Sequence, residues 1–142
     1  MKNLNNYINE AWSGVKKHTN NAEIEAWCEE MGIRNYTINS KGEIDVDGNV
    51  DLSEMKFKEL PYKFSSVNGY FSLGSCKNLT SLKNCPDFVG ESFNCSLCRK
   101  LDSLEGCPKE VGGTFFSNNC KREFTEEEVR SYCKVNKNII CV

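Results

Sequence analysis

Nine cysteines stand in this 142-residue chain, two of them as Cys95-x-x-Cys98. Thiols at that spacing can hold zinc or cycle between dithiol and disulfide, because a short loop brings both sulfurs to one side. The wider spacing points elsewhere. Cys76, Cys98 and Cys120 recur at one interval, and Cys85 and Cys107 share it. Cys95 falls at the phase that Leu73 and Ser117 occupy in the flanking segments. Thiols repeated in this way would stack in a line, whereas zinc needs four ligands in a tetrahedron. Structural thiols are therefore the first expectation. Zinc, or a disulfide between neighbouring turns, is the alternative.

The other reactive residue types are sparse. The single histidine, His18, lies in Lys16-Lys17-His18-Thr19 at the end of a predicted helix, where a cation suits the helix dipole. A Cys-His nucleophile would need it beside a thiol. Asp45 and Asp47 fall in a predicted hairpin, where Asp favours the turn. The chain contains no phosphate loop, dinucleotide fingerprint or Gly-x-Ser-x-Gly. No catalytic residue, metal ligand or cofactor is assigned, and the chain is expected not to be an enzyme.

These residues must be positioned by a repeat. Segments beginning at Gly48, Gly69 and Gly90 align, and a partial copy begins at Gly112. Leu60, Leu82 and Leu104 occupy one phase; Val67, Val89 and Val111 a second; Phe71, Phe93 and Phe115 a third. The step is about 22 residues, as in short solenoid repeats. A coil of that size cannot bury its apolar side chains alone. Each gains about 1.5–3 kcal/mol only when coils stack and cover one another. Phe71-Ser72-Leu73 alternates inward and outward as a short strand should, so successive coils are expected to lay parallel strands side by side.

The segment Leu104-Glu105-Gly106-Cys107-Pro108-Lys109-Glu110-Val111, followed by Phe115, resembles the leucine-rich-repeat family in its short bacterial variety. It is also similar to short repeat proteins encoded by phages and mobile elements. The resemblance implies that the Cys76, Cys98 and Cys120 column bonds to turn backbone, as Asn or Cys does in that family. It also implies a binding role.

The expected fold class is α+β, a short leucine-rich-repeat-like solenoid with capped ends. Residues 1–47 are read as an N-terminal helical pair plus β-hairpin cap. Leu4, Tyr7, Ile8, Ala11, Trp12 and Val15 mark the first helix, and Ile24, Trp27, Cys28 and Met31 the second. Gly32 is its expected stop. Strands are expected at residues 36–39, 43–46 and 50–52. Residues 48–124 form the solenoid of about three repeats, and residues 125–142 a C-terminal helical cap, the whole making one folded unit. Thr125 and Glu128 spell a capping box, and the apolar Ile139-Ile140-Cys141-Val142 is expected to pack on the body.

Composition narrows the partner. The net charge is −2. Residues 1–48 carry five basic and eight acidic side chains, residues 49–120 eight of each, and residues 121–142 five and four. No segment has the basic excess of a phosphate-tracking surface. The N-terminus lacks the apolar core of a signal peptide, and no apolar run approaches the roughly 18 residues of a membrane span. A cytoplasmic protein without membrane contact is expected.

The outward strand positions form a small polar face, from which Tyr70, Ser72, Asn94, Ser96, Phe116 and Asn118 are chosen as candidate partner-binding residues. Tyr70 and Phe116 are its aromatic anchors, unless the C-terminal cap covers Phe116. Four strands about 4.8 Å apart present on the order of 400 Å², half of the roughly 800 Å² that a standard interface uses. Loops, a cap or a second copy must supply the rest.

The leading expectation is a non-catalytic module that binds a protein or ribonucleoprotein complex. The resemblance makes a phage-encoded, anti-CRISPR-like inhibitor of a bacterial defence complex its concrete form. The alternative is a nucleic-acid or ribonucleoprotein binder using Lys56, Lys58, Lys63, Lys77, Lys83, Arg99 and Lys100. A zinc- or thiol-dependent protein is the third reading. The oligomeric state is left open.

Overall fold

A computed structural model describes residues 21–142. The helix expected over residues 4–15, and His18, lie outside the described residues. The described chain is a solenoid of parallel strands. It opens with helix α1 (Asn21–Glu30), followed by β1 (Tyr36–Ile38) and β2 (Ile44–Val46), which pair as an antiparallel hairpin. Gly32, at φ 75°, ends the helix. The Gly32 amide bonds to the Glu29 carbonyl at 3.1 Å and the Ile33 amide to Cys28 at 2.8 Å, the paired bonds of a left-handed helix stop. Ile24 and Cys28 are buried, and the Trp27 ring meets Tyr62 and Phe64 edge-on at 5.6 and 6.0 Å. One face of the helix thus closes over the first coils.

From β2 onward each coil lays down two short strands, one in each of two parallel sheets. The first sheet runs β1, β2, β4 (Phe64–Val67), β6 (Phe88–Val89), β8 (Glu110–Val111), β10 (Lys134–Val135). The second runs β3 (Val50–Asp51), β5 (Phe71–Ser72), β7 (Phe93–Asn94), β9 (Phe115–Phe116), β11 (Ile139–Ile140). Among the described residues this makes five stacked strand pairs joined by four turns of the solenoid. The strands expected around Phe71, Phe93 and Phe115 form the second sheet. The first sheet's solenoid strands after β2 were not anticipated, and the copy starting at Gly112 is followed by one more strand pair. Those last strands, β10 and β11, pair in parallel with β8 and β9. The apolar tail therefore extends the stack. The step rises to 24 residues there, Val111 to Val135, because helix α2 (Glu126–Tyr132) fills that flank.

The register explains the repeat. Val67, Val89 and Val111 align in the first sheet, and Phe71, Phe93 and Phe115 in the second. All six are fully buried. The phenyl rings run through the interior, Phe71 stacked on Phe93 at 6.2 Å and Phe93 tilted against Phe115 at 5.1 Å. Leu60, Leu82 and Leu104 are equally buried, at 1% exposure or less. The turn leaving the second sheet is made at one position in four coils, by Glu54, Ser75, Leu97 and Asn119. Each has a positive φ between 59° and 66°. At the last flank, the Thr125 hydroxyl accepts the Glu128 amide at 3.0 Å and caps α2. Arg122 and the Thr125 backbone N–H hold the Glu128 carboxyl below its usual range.

Candidate functional site

The outer face of the second sheet carries the sequence-chosen residues. Across it, Asp51, Ser72, Asn94, Phe116 and Ile140 lie side by side in successive strands. Local polar bonds fix this face. The Ser53 and Ser72 hydroxyls sit 2.8 Å apart, and the Asp51 Oδ1 accepts the Ser53 amide at 3.0 Å. The Asn49 Oδ1 accepts the Tyr70 amide at 2.9 Å, and the Ser92 Oγ accepts the Thr114 amide at 3.2 Å. Ser, Asn and Asp suit these places because their short side chains bond to backbone one or two residues away or across to the next coil.

Here the face is dished into an open cleft of about 330 Å³. Tyr70 and Phe116 are its aromatic walls, Ser53, Ser72, Ser92 and Asn94 its neutral polar surface, and Asp51 and Glu91 its charges. Four of the chosen residues, Tyr70, Ser72, Asn94 and Phe116, meet there. Ser96 and Asn118 lie outside the lining. Ser96 is 8% exposed, and its amide and hydroxyl both bond to Asn94 Oδ1, at 2.8 and 2.6 Å. It therefore orients Asn94 and leaves the Asn94 amide nitrogen for the cleft. Asn118 gives its carbonyl to the Leu97 amide at 2.9 Å. Phe116 is half-buried, flanked by Ile140 of β11, with part of its surface open to the cleft.

Glu91 escaped the sequence reading. It sits in the turn between β6 and β7, where two-residue alternation no longer assigns a face. Its carboxylate changes the electrostatics. Neither Asp51 nor Glu91 forms an ion pair among the described residues. The ion pairs Lys63–Asp87, Lys109–Asp87, Lys121–Asp102, Arg122–Glu128 and Arg130–Glu126 all involve residues outside the cleft lining. Among the described residues no Lys or Arg lines the cleft.

The thiols occupy the interior. Cys76 Sγ donates to the Leu52 carbonyl at 3.2 Å, Cys98 to Leu73 at 3.1 Å and Cys120 to Cys95 at 3.1 Å. One thiol per coil thus bonds to the backbone of the coil before it. Burial pushes Cys98 and Cys107 up to about 12, and Cys28 and Cys133 to about 11. Cys120 differs: it is half-exposed, and the Cys95 thiol beside it draws it below the ordinary value. All nine thiols are free. Among the described residues no group of three or more His, Cys, Asp and Glu is arranged to hold a metal ion. No helix there is long and apolar enough to cross a membrane.

The cations proposed for nucleic acid are spread over the turns. Lys63 is engaged, bonding to the Cys85 carbonyl at 2.7 Å and to Asp87 at 3.0 Å. Lys56, Lys58, Lys77, Lys83, Arg99 and Lys100 are exposed. No family model, no curated protein and no solved structure matches the chain.

Proposed function

We propose that this protein is a non-catalytic protein-binding module whose contact surface is the outer face of the second sheet. The observation that carries the reading is the cleft itself. It joins two accessible aromatic side chains, Tyr70 and Phe116, to unneutralised carboxylates on a rigid parallel-strand frame. Accessible aromatics on a rigid frame are what interface hot spots are built from. Five strands offer about 500 Å² of face, still under the roughly 800 Å² of a standard interface. A partner therefore also reaches the flanking turns, where Leu97 is exposed. We read the coils as the leucine-rich-repeat type, on the strength of the Cys76, Cys98 and Cys120 ladder to preceding carbonyls. The resemblance extends the proposal to an inhibitor of a bacterial defence complex.

Affinity capture from bacterial lysate tests the reading. The unaltered chain is expected to retain a specific protein or ribonucleoprotein. Tyr70→Ala with Phe116→Ala is expected to weaken that complex by about 30-fold or more, the effect of losing a hot spot of about 2 kcal/mol. Retention of the same partner at full strength by the double variant defeats the proposal, provided that its urea midpoint is unchanged. A second reading, contact with a polyanion, is favoured by Lys77 and Arg99. They share one turn position in successive coils and form no ion pair among the described residues. It requires retention on RNA or DNA at low salt, lost steeply as salt rises.

A further inference from the structure

We propose that the cleft on the second sheet receives the guanidinium of an arginine presented by the partner. This rests on the reading of that face as the binding surface. It adds the chemistry of what enters.

Charge comes first. The charged side chains lining the cleft are both carboxylates, Asp51 and Glu91. Among the described residues, Asp51 has one oxygen engaged by the Ser53 amide and the other without a partner, and Glu91 makes no side-chain hydrogen bond or ion pair. Two carboxylates sharing an opening, with no counter-ion among the described residues, raise its affinity for a cation.

Shape comes second. Tyr70 stands just before β5, and Phe116 in β9, two coils on and two residues further along, so their backbones are about 12 Å apart. A flat cation in the opening can stack on one ring or the other within the roughly 6 Å reach of cation–π attraction. The rigid planar fork of arginine both bridges carboxylate oxygens and stacks on rings. Lysine, a hydrated point charge, cannot do both.

Hydrogen-bond polarity comes third. Asn94 Oδ1 is used by Ser96, so Asn94 offers its amide N–H; Ser92 Oγ accepts from Thr114, so its own proton is free to donate. These donors suit peptide carbonyls on either side of an arginine. Carboxylate acceptors and neutral N–H and O–H donors thus share one opening.

The test is a titration of the full chain with N-acetyl-L-argininamide, followed by amide NMR. Saturable shifts are expected at Tyr70, Ser72, Ser92, Asn94 and Phe116. Binding is expected to weaken about fivefold or more with the uncharged citrulline analogue, and again in Asp51→Asn with Glu91→Gln. The Asp51→Asn change keeps the Oδ1 acceptor for Ser53, so the turn survives. No saturable shift at these amides overturns the proposal. So does equal binding of the citrulline or lysine analogue, or tighter binding of a neutral disaccharide. A captured partner that depends on Tyr70 and Phe116 but is indifferent to Asp51 and Glu91 sinks this inference alone. Indifference to Tyr70 and Phe116 sinks the reading of the face beneath it.

Discussion

Single residues here are judged by the column they occupy. Leu73, Cys95 and Ser117 hold the same inward place in successive coils, and all three are fully buried. Leucine and a thiol are at home there. Ser117 is not: its hydroxyl has no hydrogen-bond partner among the described residues. An unmade buried bond costs about 1–3 kcal/mol. Ser117→Ala removes the stranded group and very little volume, so it is expected to raise stability by about 1 kcal/mol, read from the urea midpoint. A fall in that midpoint would show that the hydroxyl is satisfied after all. The same logic was legible in the sequence for the thiols. Recurrence of Cys76, Cys98 and Cys120 at one phase carried the information that they share one environment, which the three sulfur–carbonyl bonds make concrete. Ser96 was less legible. Its phase is outward, yet it bends back to hold Asn94, and periodicity does not report on that.

At the scale of elements, the coils meet most closely where the chain passes from the first sheet to the second. A Cβ built on Gly90 would lie 2.1 Å from the Asn68 carbonyl oxygen, and one on Gly112 2.2 Å from that of Gly90. Backbone here touches backbone, and a methyl group has nowhere to go. Gly90→Ala is therefore expected to cost about 2 kcal/mol or more by forcing two coils apart, measured by chemical denaturation. A variant as stable as the parent would mean that the coils are looser than this contact requires. The valine that precedes this passage was the sequence's clue to the missed first sheet. Val46, Val67, Val89, Val111 and Val135 each stand four residues before an inward apolar residue, from Val50 to Ile139. Strands of two residues are too short for alternation to reveal. The last pair also hid behind a change of step, since α2 lengthens that coil. What the sequence could show was the long-range recurrence of Phe, Leu and Val, because each column buries only what repeats.

The described residues are held as one molecule by an interior that every coil shares, and that interior is rich in thiols. Glu91 shows the limit of reading such a molecule from its columns: the cleft forms where turn and sheet meet, and no repeat phase predicts it. The thiols give a property of the entire stack. Eight of the nine have their ionisation raised above the ordinary 9.0, burial being the first cause in all but Cys95, where the bond to Cys120 leads. Only Cys120 is lowered. Well below pH 9 these thiols are protonated in both folded and unfolded chains and add no pH dependence. Above it the unfolded chain releases protons that the folded stack retains until about pH 11 for Cys28 and Cys133, and about 12 for Cys98 and Cys107. The folded state then binds more protons, so stability must fall as pH rises, by about 1.4 kcal/mol per unit for each such thiol. Cys120 works in the opposite sense, one against eight. The urea midpoint is therefore expected to drop clearly between pH 8 and pH 10, under reducing conditions. Cys98→Ser with Cys107→Ser, which keeps a donor but not the titration, should flatten the slope. An unchanged midpoint across that range would mean that the thiols reach solvent, which the closed stack of coils forbids.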